Sequence, residues 1–72
     1  MISKNLKKRI VGFCLGQAEV YLFSVEGGWE LTKYTEKKTD IQVFPREEGF
    51  TIDDALFLFN RATQDLRGIE ND

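Results

Sequence analysis

Residues 8–35 read KRIVGFCL, GQ, AEVYLFSVE, GG, WELTKYT, three apolar runs separated by two glycine-bearing pairs. Two-residue hairpin loops need positive φ, which glycine adopts without steric cost. Gly16-Gln17 and Gly27-Gly28 therefore predict two tight hairpins joining strands near 8–15, 18–26 and 29–35.

The hairpins also set an expected register. Two-residue loops place Leu15 opposite Ala18, Phe13 opposite Val20 and Val11 opposite Leu22. On the second hairpin they place Ser24 opposite Leu31 and Glu26 opposite Trp29. Side chains alternate along a strand, so Val11, Phe13, Leu15, Ala18, Val20, Leu22, Trp29 and Leu31 share one face. That face is the expected core.

Working outward, a charged loop at 36–40 leads to a short strand at 41–44. Pro45 stops it, because proline cannot donate to a ladder. A helix is then predicted over 52–67. Thr51 stands at the N-cap, with Asp53 and Asp54 in the first turn where carboxylates meet the positive end of the helix dipole. Thr51 and Asp54 have capping-box spacing. Arg67 suits the other end, and Gly68 is expected to terminate the helix as its C′ residue. Ile52, Ala55, Leu56, Phe59, Ala62 and Leu66 fall on one stripe at helical period. The fold class is therefore α+β: a four-stranded antiparallel meander (β-β-β-β-α) with one C-terminal helix packed on one sheet face.

Seventy-two residues allow one small domain, with 1–7 expected as a flexible N-terminal segment and 69–72 as a tail. The chain has one cysteine, Cys14, and no histidine, so neither an internal disulfide nor a structural zinc site is expected. Nothing reaches the roughly 18–20 consecutive apolar residues of a membrane span. A basic start followed by apolar Ile10–Leu15 faintly imitates a signal peptide. Gly12 interrupts that run, however, and no small-residue cleavage site follows. A cytoplasmic protein is expected, in keeping with the lone thiol.

Net charge is −2. Lys4, Lys7, Lys8 and Arg9 crowd the start, while acids dominate from Asp40 onward. Non-specific nucleic-acid binding by the whole domain is disfavoured by that balance. Acid–base catalysis at neutral pH most often uses histidine, which is missing. Cys14 falls mid-strand without a base beside it. Glu47-Glu48 and Asp53-Asp54 lack a calcium-loop pattern and read as solvation and capping. No phosphate-binding glycine loop and no nucleophile-elbow motif occurs. The expected chain is not an enzyme, and no cofactor or metal is expected.

One surface remains after the core is assigned. The opposite sheet face carries Ile10, Gly12, Cys14, Glu19, Tyr21, Phe23, Val25, Glu30, Thr32 and Tyr34. The expected register sets Tyr21 between Gly12 and Tyr34, and Phe23 between Ile10 and Thr32. Solvent faces of antiparallel sheets are normally polar. This one is aromatic, and aromatic residues are enriched at protein interfaces. On the helix, Phe57 lies far from the buried stripe, among Asp53, Asn60, Arg61 and Gln64.

The expectation is a non-enzymatic protein–protein interaction module: a small adaptor, inhibitor or accessory subunit, the self-associating homodimer included. Its partner-binding residues are Ile10, Tyr21, Phe23, Val25, Tyr34 and Phe57. The alternative is a nucleic-acid-associated protein touching phosphates through Lys4, Lys7, Lys8 and Arg9. A carboxylate-only enzyme is a third, weaker reading.

Overall fold

The computed structural model describes residues 7–70, with the side chains of Ile69 and Glu70 left out. Most of the expected N-terminal segment, Lys4 included, lies outside the described residues, as do 71–72 of the tail. The elements are β1 (Lys8–Leu15), β2 (Ala18–Val25), β3 (Gly28–Tyr34), β4 (Thr39–Pro45), a single 3-10 turn (Arg46–Glu48) and α1 (Ile52–Glu70). All neighbouring strands pair antiparallel in the order β1-β2-β3-β4. The helix packs on one face of this meander, chiefly over β2 and β3.

Val20, Leu22, Trp29, Leu31, Phe44, Ala55, Phe59 and Leu66 form the buried core, flanked by half-buried Val11, Phe13, Leu15, Ala18, Leu56 and Ala62. Sheet face and helix stripe thus meet as expected. Each fully buried large aliphatic chain such as Leu22 contributes about 1.5–3 kcal/mol over its exposed state. Phe44 extends the core onto β4 and packs on Phe50, ring centroids 5.3 Å apart. Ile52 departs from the expected stripe: it begins the helix and is exposed. Thr63 is buried instead, its hydroxyl satisfied by donating to the Asn60 carbonyl at 2.8 Å.

The first hairpin has the expected turn, with Gly16 at φ 63°. The second differs by one residue. Its turn is Glu26-Gly27, with Gly27 at φ 87°, and Gly28 opens β3 opposite Val25. Pairing is consequently Ser24 with Trp29 and Leu22 with Leu31. The cause is packing at Gly28, where a Cβ would overlap the Phe44 carbonyl oxygen. That site demands glycine inside the strand, so only Gly27 is left for the turn. Each residue's partner shifts by two positions, which preserves the faces because side chains alternate with period two.

Three further boundaries differ. β1 carries an irregularity between Arg9 and Val11, which sets Arg9 rather than Ile10 opposite Phe23. β4 runs from Thr39 to Pro45, longer than the predicted 41–44. Proline is tolerated there as the last residue of an edge strand. The helix continues through Gly68 to Glu70, and Gly68 does not take the positive φ of a C′ residue.

The helix start follows its sequence signal closely. The Asp54 amide donates to the Thr51 hydroxyl at 3.2 Å, and the Thr51 amide donates back to the Asp54 carboxylate at 3.0 Å. This is a capping box with aspartate in the place usually held by glutamate or glutamine.

Candidate protein-binding surface

Pairing across the four strands arranges the outer sheet face in rows. Cys14, Glu19, Tyr34 and Thr39 form one; Gly12, Tyr21, Thr32 and Ile41 the next; Arg9, Phe23, Glu30 and Val43 the third. Val25, Gly28 and Pro45 close the end nearest the second turn. The helix lies on the other side of the sheet and covers none of them.

Tyr21 sits at the centre. Its ring centroid is 6.1 Å from that of Phe23 and 6.1 Å from that of Tyr34, the second pair meeting edge to face. Such separations fall in the favourable range for aromatic pairs. Cations roof the layer from the β1 side. Lys7 Nζ stands 4.5 Å above the Phe23 ring, and the Arg9 guanidinium stands 5.6 Å from the Tyr21 ring.

Acceptors sit between the rings. Glu30 takes an ion pair from Lys7 at 3.0 Å and a hydrogen bond from the Thr32 hydroxyl at 3.0 Å. The Tyr21 hydroxyl donates to Glu19 Oε1 at 2.7 Å and lies 3.8 Å from Cys14 Sγ. That bond to the Glu19 carboxylate, reinforced by Cys14 and by desolvation, pushes the Tyr21 phenol up to about 12. A hydrogen bond donated by the neutral phenol, next to an anion, opposes ionisation.

The structure brings Tyr21, Phe23 and Tyr34 together, with Val25 one row further along the same face. Ile10 is exposed at the β1 irregularity and stands opposite no β2 residue. Among the described residues, Phe57 is the most exposed of the large apolar side chains, at 63%. It lies on the solvent side of α1, across the molecule from the sheet's outer face, beside a shallow hollow formed with Glu48, Gly49, Phe50, Asp54 and Leu58. Phe57 and the aromatic face are therefore two separate surfaces.

Of the basic candidates, Lys7 and Arg9 are folded onto the aromatic layer. Lys8 is exposed, opposite Ser24.

Sequence reasoning missed the two exposed, large apolar members that β4 adds to the face. Ile41 and Val43, on the edge strand, are 59% and 58% exposed. Alternation of Ile41 and Val43 with Gln42 and core-facing Phe44 marks them as sharing the face opposite Phe44, and the β3–β4 register sets them beside Thr32 and Glu30.

Among the described residues, no group of three or more histidine, cysteine, aspartate or glutamate side chains is placed to hold a metal ion. No helix among them is long and apolar enough to cross a membrane. Comparison with protein-family models, curated proteins and solved structures finds no match to this chain.

Proposed function

We propose that this chain is a non-enzymatic protein–protein interaction module that binds through the outer face of its sheet. One observation carries the reading. Tyr34, Ile41 and Val43 are exposed on that face; Tyr34 meets half-buried Tyr21 edge to face, Thr32 and Glu30 stand between the two aliphatic residues and the Tyr21 and Phe23 rings, and α1 lies on the opposite side of the sheet. An apolar area rimmed by charged groups is the usual form of a recognition surface. The charged groups set over and between the rings have both signs, Lys7 and Arg9 against Glu19 and Glu30, which favours a mixed-charge protein surface over a polyanion. Rigid aromatic side chains lose little conformational entropy on docking, and Tyr21 is already fixed by its bond to Glu19.

The test is capture of partners from the native host with the wild-type chain and with the Tyr21→Ser, Phe23→Ser variant, each identified by mass spectrometry. Proteins bound by the first and lost by the folded second support the reading. Identical captured sets would move the interaction to another surface, Phe57 first.

A further inference from the structure

β4 is an edge strand, and its backbone shows which groups it offers. Two bonds close the β3–β4 ladder: the Thr35 amide donates to the Lys38 carbonyl at 2.9 Å, and the Arg46 amide to the Gly27 carbonyl at 2.7 Å. Antiparallel pairs alternate between bonded and non-bonded. Counting inward from either end, Lys33 with Asp40, Leu31 with Gln42 and Trp29 with Phe44 are the bonded pairs. The N–H and C=O groups of Thr39, Ile41 and Val43 therefore point away from β3. No strand among the described residues pairs with them.

The two edges of the sheet are unlike. β1 is interrupted between Arg9 and Val11 and presents exposed Lys8 and Arg9, features that discourage pairing with a further strand. β4 runs in unbroken register from Thr39 to Pro45 and carries two exposed β-branched aliphatic residues, Ile41 and Val43, at its centre. Proline stands only at its end.

We propose that β4 pairs antiparallel with β4 of a second copy about a twofold axis at Gln42, joining two meanders into one continuous sheet. The sequence around Gln42 is self-complementary in that arrangement. Ile41 faces Val43 of the second copy, and each pair exchanges the outward N–H and C=O groups on both sides. Thr39 donates to the Pro45 carbonyl, where proline's missing N–H costs nothing further. Side chains of Ile41 and Val43 from the two copies become cross-strand neighbours, the favoured arrangement for β-branched residues. Continued past the strand ends, the same axis sets Lys37 of one copy opposite Glu47 of the other, with Lys38 opposite Arg46. An isologous contact of this kind closes on itself as a dimer.

This inference rests on the interaction role proposed above and names one partner for it. It also merges two outer faces into one surface with the Ile41 and Val43 cluster at its middle.

Sedimentation equilibrium of the full chain from micromolar to millimolar concentration, with amide hydrogen exchange followed by NMR on the same samples, tests it. The expected wild-type mass rises to twice that of one chain. Exchange at the Ile41 and Val43 amides slows with it, by roughly tenfold or more. Val43→Pro, which removes an outward N–H and no β3 bond, should remain a monomer with unchanged circular dichroism. Val43→Lys does the same without constraining the backbone. A wild type that stays monomeric at millimolar concentration overturns the dimer and leaves the sheet-face reading standing. So does a dimer whose Ile41 and Val43 amides exchange as fast as in the dilute monomer, since its contact lies elsewhere. Loss of self-association in Tyr21→Ser, Phe23→Ser but not in Val43→Lys would also overturn it, in favour of face-to-face packing.

Discussion

The ring of Tyr21 rests on the backbone of Gly12, its cross-strand partner: a Cβ at Gly12 would stand 2.7 Å from Tyr21 Cδ1 and 2.8 Å from Cε1. Glycine in a strand lacks packing of its own, and here an aromatic neighbour supplies it. Gly12→Ala is expected to push the ring off its seat, loosening its stacking on Phe23 and Tyr34 together. Overpacking of this kind costs about 1–3 kcal/mol. Denaturant unfolding measures it, and a stability equal to wild type would show that the ring has room to move.

Two other glycines should respond in opposite directions. Gly28 is buried with the Phe44 carbonyl against it, so Gly28→Ala must displace backbone rather than a flexible side chain, and β4 is the element expected to shift. Gly68 is helical and exposed, with nothing near a Cβ. Gly68→Ala should stabilise by up to about 1 kcal/mol through helix propensity. Thermal melts of the two variants should fall on either side of wild type. A neutral Gly28→Ala would mean that the β3–β4 register is not the one described.

The helix start gives a prediction about coupling. Thr51 and Asp54 satisfy each other's amides, and the Thr51 hydroxyl also lies 3.1 Å from Asp54 Oδ2. Thr51→Ala alone should cost about 0.5–2 kcal/mol. Because Asp54→Ala breaks the same reciprocal unit, the double variant should cost less than the two single losses added together. Strict additivity in a double-mutant cycle would show that each residue caps independently.

The parts legible in the sequence were those set by local chemistry. Gly16 fixed the first turn, alternation assigned both faces, and Thr51 with Asp54 marked the helix start. What could not be read was set by contacts between distant segments. Gly27 and Gly28 are equivalent as turn formers, and only the approach of Phe44 decides between them. Gly68 resembles a helix stop, yet nothing turns the chain there. The aromatic centre of the candidate surface survived the register error because a shift of two keeps parity. Its extension through Ile41 and Val43 depended on pairing β4 with β3 across a loop that carries no glycine turn signal.

Tyr21 should titrate late. Its folded value of about 12 lies above the ordinary 10.0, chiefly because its hydroxyl donates to Glu19. The contribution is therefore complete below about pH 10, where the phenol is protonated folded or unfolded, and is lost as pH rises toward 12. Glu19→Ala removes both the acceptor and the anion. Ultraviolet difference titration should then show one tyrosine ionising closer to 10.0 than in wild type. An unchanged titration would remove Glu19 as the cause.

The functional reading is tested by separating exposure from support within one face. Tyr34 and Val43 are exposed, whereas Tyr21 and Phe23 are half-buried beneath Arg9 and Lys7. Tyr34→Ser, Val43→Ser should therefore melt within about 1 kcal/mol of wild type, the span of strand propensity. Tyr21→Ser, Phe23→Ser should lose more, since it also dismantles the stacking and the cation contacts above the rings. Against a captured partner the first variant is the cleaner probe, because the fold is not in question. Aromatic anchors that dominate an interface cost about 2 kcal/mol or more when truncated, which is roughly a thirtyfold loss of affinity. Both variants are expected to cross that threshold. If binding survives in the exposed pair and fails only in the half-buried pair, the loss follows stability, and the outer face is a scaffold for a site elsewhere.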